Sequence, residues 1–294
     1  MVDLDAAASF LAGHGRLLDR RRFELLARDG SADAALAALA GYRNDDGGYG
    51  WGLEPDLRAP ESQPGCALHA FEVFEDVAPA TSPRAVELCD WLLSVTLRDG
   101  GLPFALPVSD PAGCAPFWAG ADPTVSSLQI TSIVAAVAHR VAAGDPAVAR
   151  HPWLSRATDY CVAAAEDLPE DPPAMSLAFA VQLLDAAHPT HPRAAGAVAR
   201  LGRLIPADGL LRVRGGLEDE LMRPLDFAPF PGGPARELFA PELVAAELER
   251  LAAGQQDDGG WRVDFASYSP QAALEWRGHM TVRAISILKG NAAL

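Results

Sequence analysis

The stretch Gln255-Gln256-Asp257-Asp258-Gly259-Gly260-Trp261 stands between two Ala/Leu-rich segments, residues 241–253 and 270–289. In the first of these, Leu243, Ala246, Leu248 and Leu251 recur at the three- and four-residue intervals of one helix face. Two adjacent glycines let the chain reverse where a Cβ would obstruct it, and an Asp before them accepts backbone N–H groups in the turn. The stretch therefore reads as a tight connection between two helices. Working outward, Asp-Gly-Gly recurs at Asp46-Gly47-Gly48 and Asp99-Gly100-Gly101. A shortened copy stands at Asp208-Gly209, and a degenerate junction runs from Leu168 to Pro173. The copies lie roughly fifty residues apart, within the range of repeated supersecondary units.

Amphipathic stretches precede the other junctions at 31–42, 84–96, 153–167 and 193–204, and follow them at 63–76, 125–143 and 175–187. Ser82-Pro83, Asp122-Pro123 and Pro241 look like helix starts, where Pro costs no hydrogen bond. Strand signals are nearly absent. With one N-terminal helix over 3–18, the chain counts five or six helical hairpins in a single all-α domain, 1–294. Residues 103–122 and 212–240 are irregular insertions, of a length that compact domains use for functional loops.

The 294 residues carry 24 Lys plus Arg against 39 Asp plus Glu, a net charge of −15. That balance argues against nucleic acid or an anionic membrane as a partner, since phosphate contacts need a basic surface. Cys66, Cys89, Cys114 and Cys161 form no CxxC and no zinc-finger spacing, which suits free thiols in a reducing cytosol. The start carries Asp3 and Asp5 where a signal peptide needs bases, and no apolar run reaches the ~18 residues of a membrane span. A cytoplasmic location is expected.

The turn at 255–261 resembles the QW motif of squalene–hopene and oxidosqualene cyclases, whose helical hairpin is shared by protein prenyltransferase β-subunits. Ser269-Pro270-Gln271-Ala272-Ala273-Leu274-Glu275-Trp276 is similar to the family's Ser-Thr-x-Gln-Thr-Ala-Trp helix start. Asn44-Asp45-Asp46-Gly47-Gly48-Tyr49-Gly50-Trp51, followed by Ser62-Gln63-Pro64-Gly65-Cys66-Ala67-Leu68, reads the same way. The resemblance implies an α/α toroid (α6/α6-type barrel), a central cavity, and a hydrophobic or isoprenoid small molecule as ligand. No cofactor is expected, and no obligate partner is evident in the sequence. The Asp-x-Asp-Asp acid of the cyclases has no counterpart. His279 sits where the prenyltransferases place a zinc-ligating His, but their Asp and Cys ligands are absent, so no metal is expected.

Three clusters are candidates for chemistry. Asp122 precedes a long helix and is either its cap or a catalytic acid. Glu54 and Asp56, with Arg58 and Glu61 beside them, form either an acid/base pair or a salt-bridged loop. Glu275 and His279 are four apart and share a helix face, so they pair if that face lines a cavity. Tyr49, Trp51, Phe104, Trp118, Phe227 and Trp276 are the expected substrate contacts. Three functions follow: a terpenoid-cyclase-like enzyme, a carbohydrate-acting enzyme, and a non-catalytic lipid- or protein-binding member.

Overall fold

A computed structural model describes residues 2–294. In chain order the helices are α1 (Leu4–His14), α2 (Leu17–Ala27), α3 (Ala32–Ala40), α4 (Pro64–Asp76), α5 (Pro83–Val95), α6 (Pro116–Ala119) and α7 (Leu128–Ala142). They continue as α8 (Pro146–Ala149), α9 (Pro152–Glu166), α10 (Ala174–Ala187), α11 (Ala194–Gly202), α12 (Pro224–Phe227), α13 (Pro241–Ala253) and α14 (Pro270–Gly290). A two-residue antiparallel pair, β1 (Leu211–Arg212) with β2 (Leu221–Met222), is the only sheet among the described residues. The protein is mostly helical, as the periodicity predicts. No helix of the described residues is long and apolar enough to cross a membrane.

Proline opens α4, α5, α9, α13 and α14, where its fixed φ suits the first turn and its missing N–H is not needed. The single N-terminal helix expected over 3–18 is two helices. Gly15 ends α1 in an extended conformation. Asp19 then organises the start of α2 by accepting from the Arg16 backbone N–H at 3.3 Å and from its Nε at 2.9 Å.

Helix α1 contacts α2, α3 contacts α4, α9 contacts α10 and α13 contacts α14. A second series of contacts joins α2 with α4, α4 with α7, α7 with α10 and α10 with α12. Helix α14 contacts α2, and Arg283 of α14 pairs with Asp226 of α12 at 2.9 Å. Burial follows position. Every residue from Ile130 to Ala138 of α7 is buried, whereas α13 buries Glu247 alone.

The three Asp-Gly-Gly turns share one construction. Asp46, Asp99 and Asp258 accept the N–H of Gly48, Gly101 and Gly260 at 2.9, 3.1 and 3.1 Å. A Cβ on the first glycine of each turn would meet a carbonyl oxygen of another helix: Glu87 of α5, Arg156 of α9 and Ala6 of α1. A Cβ on the second would meet an aromatic ring on the same helices, Trp91, Tyr160 and Phe10. The first two turns thus pack on helices later in the chain, α5 and α9, and the last packs on the first helix of the chain. Gln255 adds a staple there, donating to Asp3 O at 2.7 Å and accepting from Asp3 N at 2.8 Å.

One pH effect arises from the packing of α7 on α9. His139 Nε2 lies 2.8 Å from Thr158 Oγ1, which donates onward to Leu154 O. Burial, helped by His191, pushes His139 down to about 4. The unfolded chain takes up this proton near the ordinary His value and the folded chain does not. Stability is therefore full above pH 6.5 and falls as the pH drops toward 4, by about 2–3 kcal/mol for this residue. Urea melts of wild type and His139→Asn between pH 4 and 7 are expected to show a shallower pH dependence in the variant. Identical slopes would exclude His139 as the source.

Candidate functional site

Four separate segments meet at one place. Helix α4 carries His69 and Glu72 one turn apart on the same face. His69 Nε2 lies 2.9 Å from Glu54 Oε2, and its Nδ1 lies 3.1 Å from Glu72 Oε2. Helix α14 brings His279, whose Nδ1 is 3.7 Å from the same Glu72 oxygen. The two imidazoles stand edge to face, with centroids 4.9 Å apart. Trp276, one turn earlier on α14, sets its ring edge-on to both, at 5.8 Å from His69 and 5.5 Å from His279.

The loop after the first Gly-rich turn supplies the acids. Asp56 accepts from Trp276 Nε1 at 2.7 Å and from Tyr268 N at 3.0 Å. Arg58 reaches across to Glu275 at 2.6 Å. Helix α2 closes the base of the site. Arg22 donates to Asp76 at 2.6 Å and to Glu72 at 3.2 Å.

The charges are mutually dependent. Burial lowers the affinity of His69 for a proton, but Glu72 and Glu54 outweigh it and hold its pKa at about 9. Burial dominates at His279 and pushes it down to about 3, with Glu72 opposing. Glu72 is also buried, yet His279, His69 and Arg22 keep it well below the ordinary carboxylate range. Burial works against the charge on Arg22, but Asp76 and Glu72 raise its pKa. Burial and neighbouring charge thus balance differently at the two imidazoles: the carboxylates prevail at His69 and burial prevails at His279. Glu72 retains 19% exposure of its side chain, so the cluster is not sealed.

Glu54, Asp56, Glu275 and His279, two separate clusters in the sequence, are thus one cluster in the structure. Asp122 is not part of it. Its exposed carboxylate accepts from Thr124 N at 2.8 Å and from Thr124 Oγ1 at 2.6 Å, contacts that lower its pKa. Nor does it cap the long helix, which begins at Leu128 behind a Ser127 cap. Glu61 turns away to accept from Ser109 N at 2.9 Å.

The aromatic candidates divide in the same way. Trp276 belongs to the cluster. Phe104 stacks on Trp118 at 4.5 Å, and Phe117 continues the row to Tyr268 at 5.3 Å, above Asp56. Tyr49 and Phe227 are wholly buried against Phe74 and Phe239, in the hydrophobic core and away from the cluster. Trp51 is exposed and donates to Asn44 Oδ1 at 2.7 Å.

Three members were missed in the sequence. His69 and Glu72 were legible as an i, i+3 pair on a predicted helix. Arg22 lies beyond the point where the N-terminal helix was expected to stop. Models of known protein families give no match to this chain, and no curated protein matches it.

Proposed function

We propose that the helices pair into six hairpins that close into an α/α toroid and that the converged cluster is the reactive centre of an enzyme acting on a small hydroxylated substrate, with a sugar as the test case. The ring closure is supported by the contact of α14 with α2 and by the last Gly-rich turn packing on α1 as the earlier turns pack on α5 and α9. The observation that carries the enzymatic reading is that Glu54 and Glu72 both hold the buried His69, with His279 against it, while Asp56 holds the half-buried Trp276 beside them and Glu275 pairs with Arg58 of the same loop.

Buried polar groups on this scale destabilise a fold unless they are matched, and they concentrate at sites that do chemistry. A sugar presents hydroxyls to such groups and apolar C–H faces to an aromatic row. Glu72, with 19% of its side chain exposed, is the more accessible of the two acids, and Glu275, at 8%, lies under the partly exposed Arg58. Trp276, held by Asp56, is the platform between them.

A panel of oligosaccharides, assayed for new reducing ends, tests this. Turnover of at least one member is expected, with kcat reduced at least about 100-fold in Glu275→Gln if that carboxylate transfers a proton. No turnover across the panel would remove the reading.

The aromatic row Phe104–Trp118–Phe117–Tyr268 favours a second reading, an isoprenoid held in a terpenoid-cyclase-like cavity. Cyclisation begun by proton transfer to an alkene needs a carboxylic acid kept protonated. Asp122, the acid first considered for that role, is held in the opposite direction. Squalene and linear prenyl diphosphates belong in the same panel, and turnover or saturable binding of either would support this second reading over the first.

A further inference from the structure

We propose that His69, Glu72 and His279 form a binding site for a divalent transition-metal ion of the zinc class. The donor atoms, one from each residue, all lie within 4.8 Å of one another. A tetrahedral ion with bonds of about 2.0–2.2 Å sets its ligands about 3.4 Å apart. The separations of 3.1 Å from His69 Nδ1 and 3.7 Å from His279 Nδ1 to Glu72 Oε2 bracket that value.

Two further observations point to a ligand and not to a packed polar core. His279 Nδ1 is buried and has no hydrogen-bond partner, although it faces a carboxylate. Buried polar atoms are nearly always paired, so an orphan aimed at two other donors marks a position that something else fills. In addition, His69 is held from behind. Its Nε2 faces Glu54 at 2.9 Å, leaving Nδ1 on the side of Glu72 and His279. A carboxylate on the far nitrogen is how metal-binding histidines are oriented and made more basic.

Two imidazoles and one carboxylate suit zinc or ferrous iron better than magnesium or calcium, which prefer oxygen alone. Arg22 shares Glu72 at 3.2 Å, which brings a cation near the site and weakens Glu72 as a donor. This set is not the Asp, Cys and His of the prenyltransferases, on whose absence the expectation of no metal rested. Three protein ligands leave room for a water, which such an ion makes more acidic. That consequence rests on the enzyme reading above, whereas the binding does not.

The test uses the full chain, stripped with chelator, titrated with Co²⁺ by visible absorbance and with Zn²⁺ by calorimetry. One equivalent is expected, with the intense visible bands of four-coordinate cobalt. Affinity is expected to fall at least about 100-fold in His279→Ala and in Glu72→Gln, and about 10–100-fold in Glu54→Gln, which disturbs only the group behind His69. His14→Ala, at an exposed histidine, is expected to bind as wild type. Circular dichroism reports whether each variant is folded, and Glu72→Gln and Glu54→Gln carry the test if His279→Ala is not. Absence of stoichiometric binding by wild type, or affinity unchanged in the folded ligand variants, would overturn the site. Turnover by protein that binds no metal would overturn it while leaving the enzyme reading intact. Metal binding without turnover on any substrate would do the reverse.

Discussion

Replacing Arg22 by methionine is expected to destabilise the protein by about 3–5 kcal/mol, the cost of leaving a buried charge without its partner. Arg22 is 5% exposed, and its guanidinium is the partner of Asp76 at 2.6 Å and of Glu72 at 3.2 Å. Methionine fills much of the same volume, so packing changes little and the effect reports the charge. A loss of that size in a chain this long corresponds to a drop in Tm of roughly 5–8 °C. The matching variant Arg22→Met with Asp76→Leu removes one of the stranded carboxylates and is expected to recover at least about half of the loss. Thermal melts of the two variants decide the matter. A single variant within about 1 kcal/mol of wild type would mean that water already reaches this pair and that the site is more open than its burial implies.

That arginine also shows where sequence reading stopped. The hairpin pattern was legible because it depends on local signals: helical periodicity, proline at helix starts, and Asp-Gly-Gly at turns. Observed helices fall within three residues of the predicted segments at 63–76, 125–143, 175–187 and 270–289. The break at Gly15 was hidden, because glycine ends a helix or sits inside one depending on what packs against it.

The site was half legible. The segments holding Glu54, Asp56, Glu275 and His279 were singled out for their composition. That they are one site depends on the contact between Arg58 and Glu275, which are 217 positions apart, and on that between Asp56 and Trp276, which are 220 apart. No local pattern encodes those pairings; they follow from α14 lying against the loop between α3 and α4. Asp122 misled for the complementary reason. An Asp ahead of Pro before an apolar run has the composition of a helix cap, but the two residues after it form a turn and Ser127 takes the cap.

The packing of the last Gly-rich turn on α1 makes Gly259→Ala the backbone substitution with the largest expected effect on the fold. Gly259 has φ of +91°, where a side chain costs about 1–2 kcal/mol. Its Cβ would also run into the carbonyl of Ala6 and come within 2.9 Å of Ala7 N. Backbone inside α1 cannot rotate away as a side chain can. The turn or the helix has to move, and Phe10, Leu11 and the Gln255–Asp3 staple move with it. The expected loss is about 3–5 kcal/mol, in the range reserved for strain combined with overpacking. Gly215 separates the two contributions. Its φ is +85°, but a Cβ there meets nothing within 4 Å, so Gly215→Ala is expected to cost only about 1–2 kcal/mol. The excess of Gly259→Ala over Gly215→Ala in urea melts measures the contact between the last turn and the first helix. Limited proteolysis supplies an independent readout, because a displaced α1 is cut before the rest of the chain. Equal losses in the two variants, with α1 still protected, would mean that the turn does not bear on α1, and the proposed ring closure would lose its main support.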